Sequence, residues 1–554
     1  MVVPSIKNLH TLKKLEIAEE NRYSELYDDT ERLQYDRTWN TELGNIANAH
    51  PELIYLDISS RGLSYQTIDA FIEKCPGLKF LKLTGENDLK NFKKRKEVTG
   101  MEEIVLEKLS IDTTGIKNLT SATKWSLKRL SLIQCLELDE NAYEYIGWQS
   151  PLLEYFAIAD PKHEEDRKTG FGFLQDVTPI NNKSLMYLSS CRNLQVLKLN
   201  YSKSSDVSDE GITTIAHGCS ELKTIDLEGC FEVTDLGIME LSRHCHKLSD
   251  VNLTLCMHVT GFGFSCLVMN CLWLQRLQTH TCYFMSNLKL CDDQKFPEHP
   301  FSAFASIAEN EHGIDASCRC MALLQFSPDQ ENQLICKKVY EAYDKIKEMF
   351  GIVDHRPERD SRQNTDHCSS NHSKAQAIET VGAMMDTDTP QPPKIPAYRY
   401  SSEHSWIRNL TLSNCHRVTD ADVIEVSKFC PDIKILDLSF CMKLTDESVV
   451  AIAKNLTVLH TLSLEGILHL TDRSLVALNK RNFSVLTINT SPNMSLQGIQ
   501  DTVRYCRKLR TLTLLNDETT AVVFNKVTIQ EIISSDEDGP VVEECGYRVI
   551  ITRS

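Results

Sequence analysis

An apolar position recurs about every 26 residues along most of this chain, and that period constrains its fold more than any other feature. It is plainest in the segments LKTIDLEGC, LSDVNLTLC, LQRLQTHTC, IKILDLSFC and LHTLSLEGI. Taking the second apolar residue of each as a marker, the series runs Leu15, Leu56, Leu81, Ile104, Leu130, Phe156, Leu197, Ile225, Val251, Leu277, Leu410, Leu436, Leu462, Leu486 and Leu512, or about fifteen units. A chain built this way is a stack of like units, so function is to be sought on a surface rather than in a pocket.

Each unit opens with apolar, x, apolar alternation, as in Ile225 and Leu227, the pattern of a short strand with one buried face. In the better units Thr or Ser then precedes Asp: Ser208-Asp209, Thr234-Asp235, Thr419-Asp420, Thr445-Asp446 and Thr471-Asp472. Those residue types cap helix N-termini. Apolar residues follow at helical spacing, such as Ile238 and Leu241 after Asp235, giving one inward-facing stripe. One strand and one helix cannot bury their apolar faces alone, so the units must stack. Strands pack more closely than helices, so the stack must curve. The expected fold is an α/β solenoid, a horseshoe with strands on the concave face and helices on the convex face.

The motif L-x-x-L-x-L-x-x-C, followed by T-D and further on by C-P-x-L, stands here as LKTIDLEGCFEVTD and CPDIKILDLSFCMKLTD. Over about two thirds of the chain it resembles the cysteine-containing leucine-rich repeats of F-box proteins. Thirteen of the 20 cysteines keep to two lattice positions. Cys135, Cys230, Cys256, Cys282, Cys415 and Cys441 follow the marker by five; Cys75, Cys191, Cys219, Cys245, Cys271, Cys430 and Cys506 precede it by six. They read as small buried hydrophobes. Lys7, Lys13 and Lys14 interrupt any apolar N-terminal run, so the reading is of reduced thiols in a cytoplasmic protein. The basic run Lys93 to Lys96 reads as a solvated loop, with a nuclear address as the alternative.

The period also locates its own interruptions. Residues 1–283 read as the first part of the solenoid, with inserted loops near 19–48 and 160–176. Residues 284–403 are an insertion of about 107 residues beyond one repeat, expected to be largely disordered with one helix through Val339, Tyr343 and Ile346. Residues 404–515 resume the solenoid, and 516–554 form a C-terminal cap or tail in which AVVFNKVTI and YRVIIT read as a capping hairpin. Within the insertion Cys368 and His372 have the spacing of half a zinc site, but Cys318, Cys320, Cys291, Cys336 and His367 do not supply the other half. His244-Cys245-His246 looks ligand-like, yet Cys245 belongs to the lattice, and its flanking histidines read as surface residues at a helix end. No metal and no cofactor are expected.

A net charge of -17, from 60 basic and 77 acidic residues, argues against an extended phosphate-binding surface, and no apolar run is long enough for a membrane span. The expected partner is therefore a protein, with neither nucleic acid nor membrane. There is no glycine-rich phosphate loop and no G-x-S-x-G elbow, so the chain is not expected to be an enzyme. The residues expected to meet the partner alternate with the markers on the concave face: Thr224, Asp226 and Glu228; Asp250, Asn252 and Thr254; Arg276, Gln278 and His280; Asn409, Thr411 and Ser413; and Asp437 with Ser439.

The resemblance implies a substrate-recognition subunit of an SCF-type cullin ubiquitin ligase, whose N-terminal F-box would grip the ligase adaptor. Repeats here begin near Leu12, and neither the residues before it nor 19–48 hold the helical L-P segment of an F-box. The alternative is an F-box-less scaffold or a cell-cycle or signalling regulator.

Overall fold

The structure, a computed structural model, describes residues 12–18, 29–60, 62–88, 100–123, 125–135, 137–158, 180–199, 207–282, 285, 288, 405–479, 483–489, 491, 493–506, 508–515, 541–545 and 548–552. The chain divides into two compact units, Met1–Cys291 with Glu403–Ser554, and Asp292–Ser402. The second unit lies outside the described residues, and so do the helix, linker and zinc candidates expected there. Residues 160–176, Lys93 to Lys96 and 521–529 lie outside them as well.

The strands of the first unit are β1 (Lys14–Ala18), β2 (Tyr55–Ser59), β3 (Phe80–Asp88), β4 (Glu103–Ser110), β5 (Arg129–Ile133), β6 (Tyr155–Ala157), β7 (Val196–Lys198), β8 (Thr224–Asp226), β9 (Asp250–Asn252), β10 (Arg276–Gln278), β11 (Asn409–Thr411), β12 (Ile435–Asp437), β13 (Thr461–Leu464), β14 (Val485–Asn489), β15 (Thr511–Leu515), β16 (Val541–Cys545) and β17 (Arg548–Thr552). The helices are α1 (Asp29–Ala49), α2 (Tyr65–Lys74), α3 (Thr113–Ala122), α4 (Glu140–Gln149), α5 (Asn182–Leu188), α6 (Asp209–Gly218), α7 (Asp235–His244), α8 (Gly261–Asn270), α9 (Asp420–Phe429), α10 (Asp446–Asn455), α11 (Asp472–Leu478) and α12 (Leu496–Tyr505).

From β1 to β15 every strand pairs in parallel with the next, and the register sets marker against marker. Leu277 therefore stands beside Leu410 although the insertion separates them in sequence. All fifteen markers are buried, and each contributes about 1.5–3 kcal/mol by leaving water. The result is an α/β solenoid with one layer of strands and one of helices, as the period requires.

Three ladders tie the units together. The first runs through the T-D pairs. Thr234 is the N-cap of α7, but Asp209, the first residue of the preceding helix, completes that cap. The N–H groups of Thr234 and Gly237 donate to Asp209 Oδ1 at 2.8 and 3.0 Å, and Thr234 Oγ1 donates to Oδ2 at 2.6 Å. Asp235 repeats the arrangement on Thr260 and Gly263. So the Asp satisfies orphan donors of the next helix rather than of its own. Glycine three residues into α7 and α8 is what allows this approach: a Cβ on Gly263 would lie 2.5 Å from Asp235 Oδ1. Where Ser448 replaces glycine, its N–H stands farther from Asp420 Oδ1, at 3.3 Å.

The second ladder is made of thiols. Cys256, Cys282, Cys415 and Cys441 donate from Sγ to the carbonyls of Leu227, Leu253, Thr279 and Leu412 in the preceding unit, at 3.0–3.2 Å. Cys219 and Cys245 sit at helix C-caps and donate to Cys191 and Cys219 carbonyls, both at 3.5 Å. The fourteen cysteines whose side chains the structure describes are all buried. Burial pushes the thiols of Cys191, Cys245 and Cys271 up to about 12, which leaves almost no thiolate at neutral pH. Iodoacetamide is therefore expected to leave these three unlabelled in the native chain and to label them in urea, as read by peptide mass spectrometry. Labelling at equal rates in both conditions would contradict their burial.

The third ladder lies four residues beyond the marker, where eight units place a residue in a left-handed backbone: Lys108, Gln134, Gly229, Leu255, Thr281, Asn414, Phe440 and Gly466. From Gly229, Leu255, Thr281, Asn414 and Phe440 the N–H donates to a carbonyl of the following unit, so the backbone pairing extends past the strand. Only glycine takes this conformation without strain. Lys108, at φ 57° with an exposed side chain, is the clearest test. Lys108→Gly is expected to raise stability by about 1 kcal/mol, seen as a higher urea midpoint. A lower midpoint would contradict the left-handed assignment.

Two ends differ in detail from expectation. Within 19–48, read as an inserted loop, residues from Asp29 onward form α1, whose Leu43, Ile46 and Ala47 are buried. Asn40 of this helix caps α2, accepting from Ser64 N–H at 2.8 Å and from Thr67 Oγ1 at 2.6 Å. The charged first half of the segment hid this helix in the sequence. At the other end YRVIIT supplies β17, which forms a hairpin with β16. β17 also pairs antiparallel with β15, burying Val549 and Ile551 over the last parallel strand.

Candidate functional site

The register that aligns the markers also aligns their neighbours. Thr224, Asp250, Arg276, Asn409 and Ile435 form one row across β8 to β12, and Asp226, Asn252, Gln278, Thr411 and Asp437 form a second. Glu228, Thr254, His280, Ser413 and Ser439 follow two residues further along each strand. The structure thus brings the sequence-predicted residues together on one face.

They are not equally available. Arg276, Gln278 and His280 are exposed, whereas Glu228, Ser413 and Ser439 are buried. These three members of the third row are withdrawn because they are used by the strand ends. Asn252 Nδ2 donates to Glu228 Oε2 at 3.3 Å, and Ser439 Oγ donates to Asp437 Oδ1 at 2.6 Å. Asp226, Asn252 and Asp437 also accept from the backbone N–H two residues ahead, which turns the chain off the sheet.

The most open part of the face is therefore β10, whose long side chains stand between shorter ones on β9 and β11. Arg276 pairs with Asp250 at 3.2 Å, both partly exposed, which contributes little to stability but fixes the guanidinium over the sheet. His280 Nδ1 and Ser413 Oγ share a hydrogen bond at 2.5 Å. Loss of water around its ring holds His280 below the usual histidine range and outweighs the carboxylates of Asp437 and Glu228, which would raise it. A neutral imidazole there can both donate and accept. Ile435 adds exposed apolar area beside these groups. The arrangement suits recognition of an extended polypeptide by mixed polar and apolar contacts.

Sequence reasoning missed a second stretch of the same row, in the N-terminal units. Tyr55 stacks flat on Phe80, with ring centroids 4.1 Å apart. Lys14 lies over Tyr55 at 4.6 Å, and Arg129, paired with Glu103 at 3.3 Å, lies over Tyr155 at 4.0 Å. The signal was available: Tyr55, Phe80 and Tyr155 each immediately precede a marker.

No protein-family model matches the chain, and no curated protein matches it. Solved structures do. The crystal structure of the yeast Rad7 and Elc1 complex matches with 12% identity and a TM-score of 0.40, covering 89% of this chain and 93% of that one. A complex of TLR13 with ssRNA13 matches with 14% identity and a TM-score of 0.42, covering 89% of this chain and 57% of that one. An internalin, inlF, from Listeria monocytogenes str. 4b F2365 matches with 14% identity and a TM-score of 0.39, covering 80% of this chain and 88% of that one. At these values the likenesses carry no argument about partner or activity. The class defined by the chain's own repeats, register and layers is the leucine-rich-repeat solenoid. Among the described residues, no helix is long and apolar enough to cross a membrane.

Proposed function

We propose that this chain is a protein-interaction module without chemistry of its own, which holds a polypeptide on the concave sheet around β10. The observation that carries this reading is the register: identical packing beneath, and a different set of side chains on every strand above. Repetition that served stability alone would not need Arg276, Gln278, His280 and Ile435 in neighbouring exposed places.

The particular role favoured is substrate recognition in an SCF-type cullin ubiquitin ligase, supported by the cysteine lattice and the L-x-x-L-x-L-x-x-C repeats that carry the resemblance to F-box repeat proteins. An F-box-less scaffold is the alternative, supported by the helix α1, which packs into the repeat array where an adaptor-binding segment was sought. Affinity purification of the full-length chain from its own cells separates the two. Stoichiometric recovery of a cullin and its adaptor supports the ligase role; a bound partner recovered without them removes it in favour of the scaffold.

A further inference from the structure

On the helical side of the solenoid, three side chains converge that the repeat pattern does not require. His217 stands in the last turn of α6, while Glu240 and His244 lie one turn apart on α7. Glu240 Oε2 is 3.4 Å from His217 Nε2 and 3.5 Å from His244 Nε2. The two imidazoles are 4.1 Å apart between centroids, and one ligand atom from each residue lies within 4.8 Å of the others. Both histidines are exposed, and Glu240 is half-buried.

From this geometry we propose that His217, Glu240 and His244 form a surface site for a divalent transition-metal ion, of which zinc is the type, bridging two successive repeats. Zinc binds histidine nitrogen and carboxylate oxygen at about 2.0–2.2 Å, so neighbouring ligand atoms of a tetrahedral site stand about 3.4 Å apart. The two distances to Glu240 already have that value, and closure needs only a small approach of the two rings. Two histidines and one glutamate leave a fourth position for water, as in open zinc sites.

The rest of the surroundings bear on the strength of the site. Arg243 Nη1 donates to Glu240 Oε1 at 3.1 Å, so ligation falls to Oε2 alone. Its positive charge opposes a cation, which makes the site weaker than a closed structural one. His246, two residues beyond His244, is not part of the cluster. The proposal departs from the expectation that His244 is a plain surface residue at a helix end.

Calorimetric titration of the full-length chain with zinc chloride, with far-ultraviolet circular dichroism to confirm folding, tests the site. His217→Ala, His244→Ala and Glu240→Gln are each expected to bind one equivalent fewer than the parent, whereas His246→Ala binds as the parent does. The parent's melting temperature is expected to rise in zinc by more than that of any of the three. Zinc binding unchanged in His217→Ala or His244→Ala, or no binding by the parent, would overturn the assignment. Zinc held elsewhere in the chain would survive all three substitutions.

Discussion

Replacing Leu277 with alanine is expected to lower stability by about 2–5 kcal/mol, because its side chain is fully buried and the cavity cannot collapse between two paired strands. The location of the loss matters as much as its size. In a stack where each unit touches only its neighbours, stability is close to a sum of nearest-neighbour contributions. Hydrogen exchange should therefore accelerate in β9, β10 and β11 and remain nearly unchanged in β2 and β3. Leu277 and Leu410 are adjacent only if the sheet is continuous across the insertion. Acceleration that stops at β10 and spares β11 would show that the sheet is broken there.

The second large effect concerns the Asp ladder. Asp235→Ala leaves the Thr260 and Gly263 N–H groups and the Thr260 hydroxyl without their acceptor. With a buried orphan costing about 1–3 kcal/mol, a loss of about 3 kcal/mol is expected. Asp235→Asn should behave differently, because the chain already uses that solution: Asn182 Oδ1 accepts from Ser208 N–H at 2.9 Å while its Nδ2 donates to Ser208 Oγ at 2.8 Å.

The pH dependence follows from the same position. Burial pushes the Asp235 carboxyl up from 3.8 to about 6, against the hydrogen bonds from Thr260 and Gly263. A carboxyl raised on folding holds its proton better in the folded chain. Its contribution is fully present below the unfolded value and is lost as pH rises through about 6. Asparagine has no proton to lose. The stability of Asp235→Asn relative to the parent should therefore improve between pH 4 and pH 7, as measured by urea unfolding at each pH. A relative stability that falls over that interval would contradict the raised carboxyl.

These effects show which parts of the molecule the sequence discloses. The markers are legible because burial demands an apolar residue in every unit, so errors at one unit are corrected by the others. Lattice cysteines are legible for the same reason. Contacts between units are not. The T-D pair reads locally as a cap, and nothing in its spacing tells that Asp209 serves Thr234 in the next unit rather than its own helix. The left-handed position is filled by Lys, Gln, Gly, Leu, Thr, Asn and Phe, because the constraint acts on the backbone and leaves no common side chain to notice.

The concave residues were legible as a set, since alternation assigns them to one face. Their availability was not: Glu228, Ser413 and Ser439 are polar, yet hydrogen bonds at the strand ends account for their burial. His217 could not be linked to Glu240 and His244 from sequence, because the link depends on the lateral offset between α6 and α7.

The proposal that the concave face around β10 receives a polypeptide is tested most directly by site-specific photocrosslinking in cells. Benzoylphenylalanine at Gln278 is expected to capture a discrete protein partner, and Arg276→Glu in the same chain to abolish that adduct. The same probe at Thr214, half-buried on α6, should capture none. Adducts from Thr214 but not from Gln278, or a Gln278 adduct indifferent to Arg276→Glu, would contradict the account.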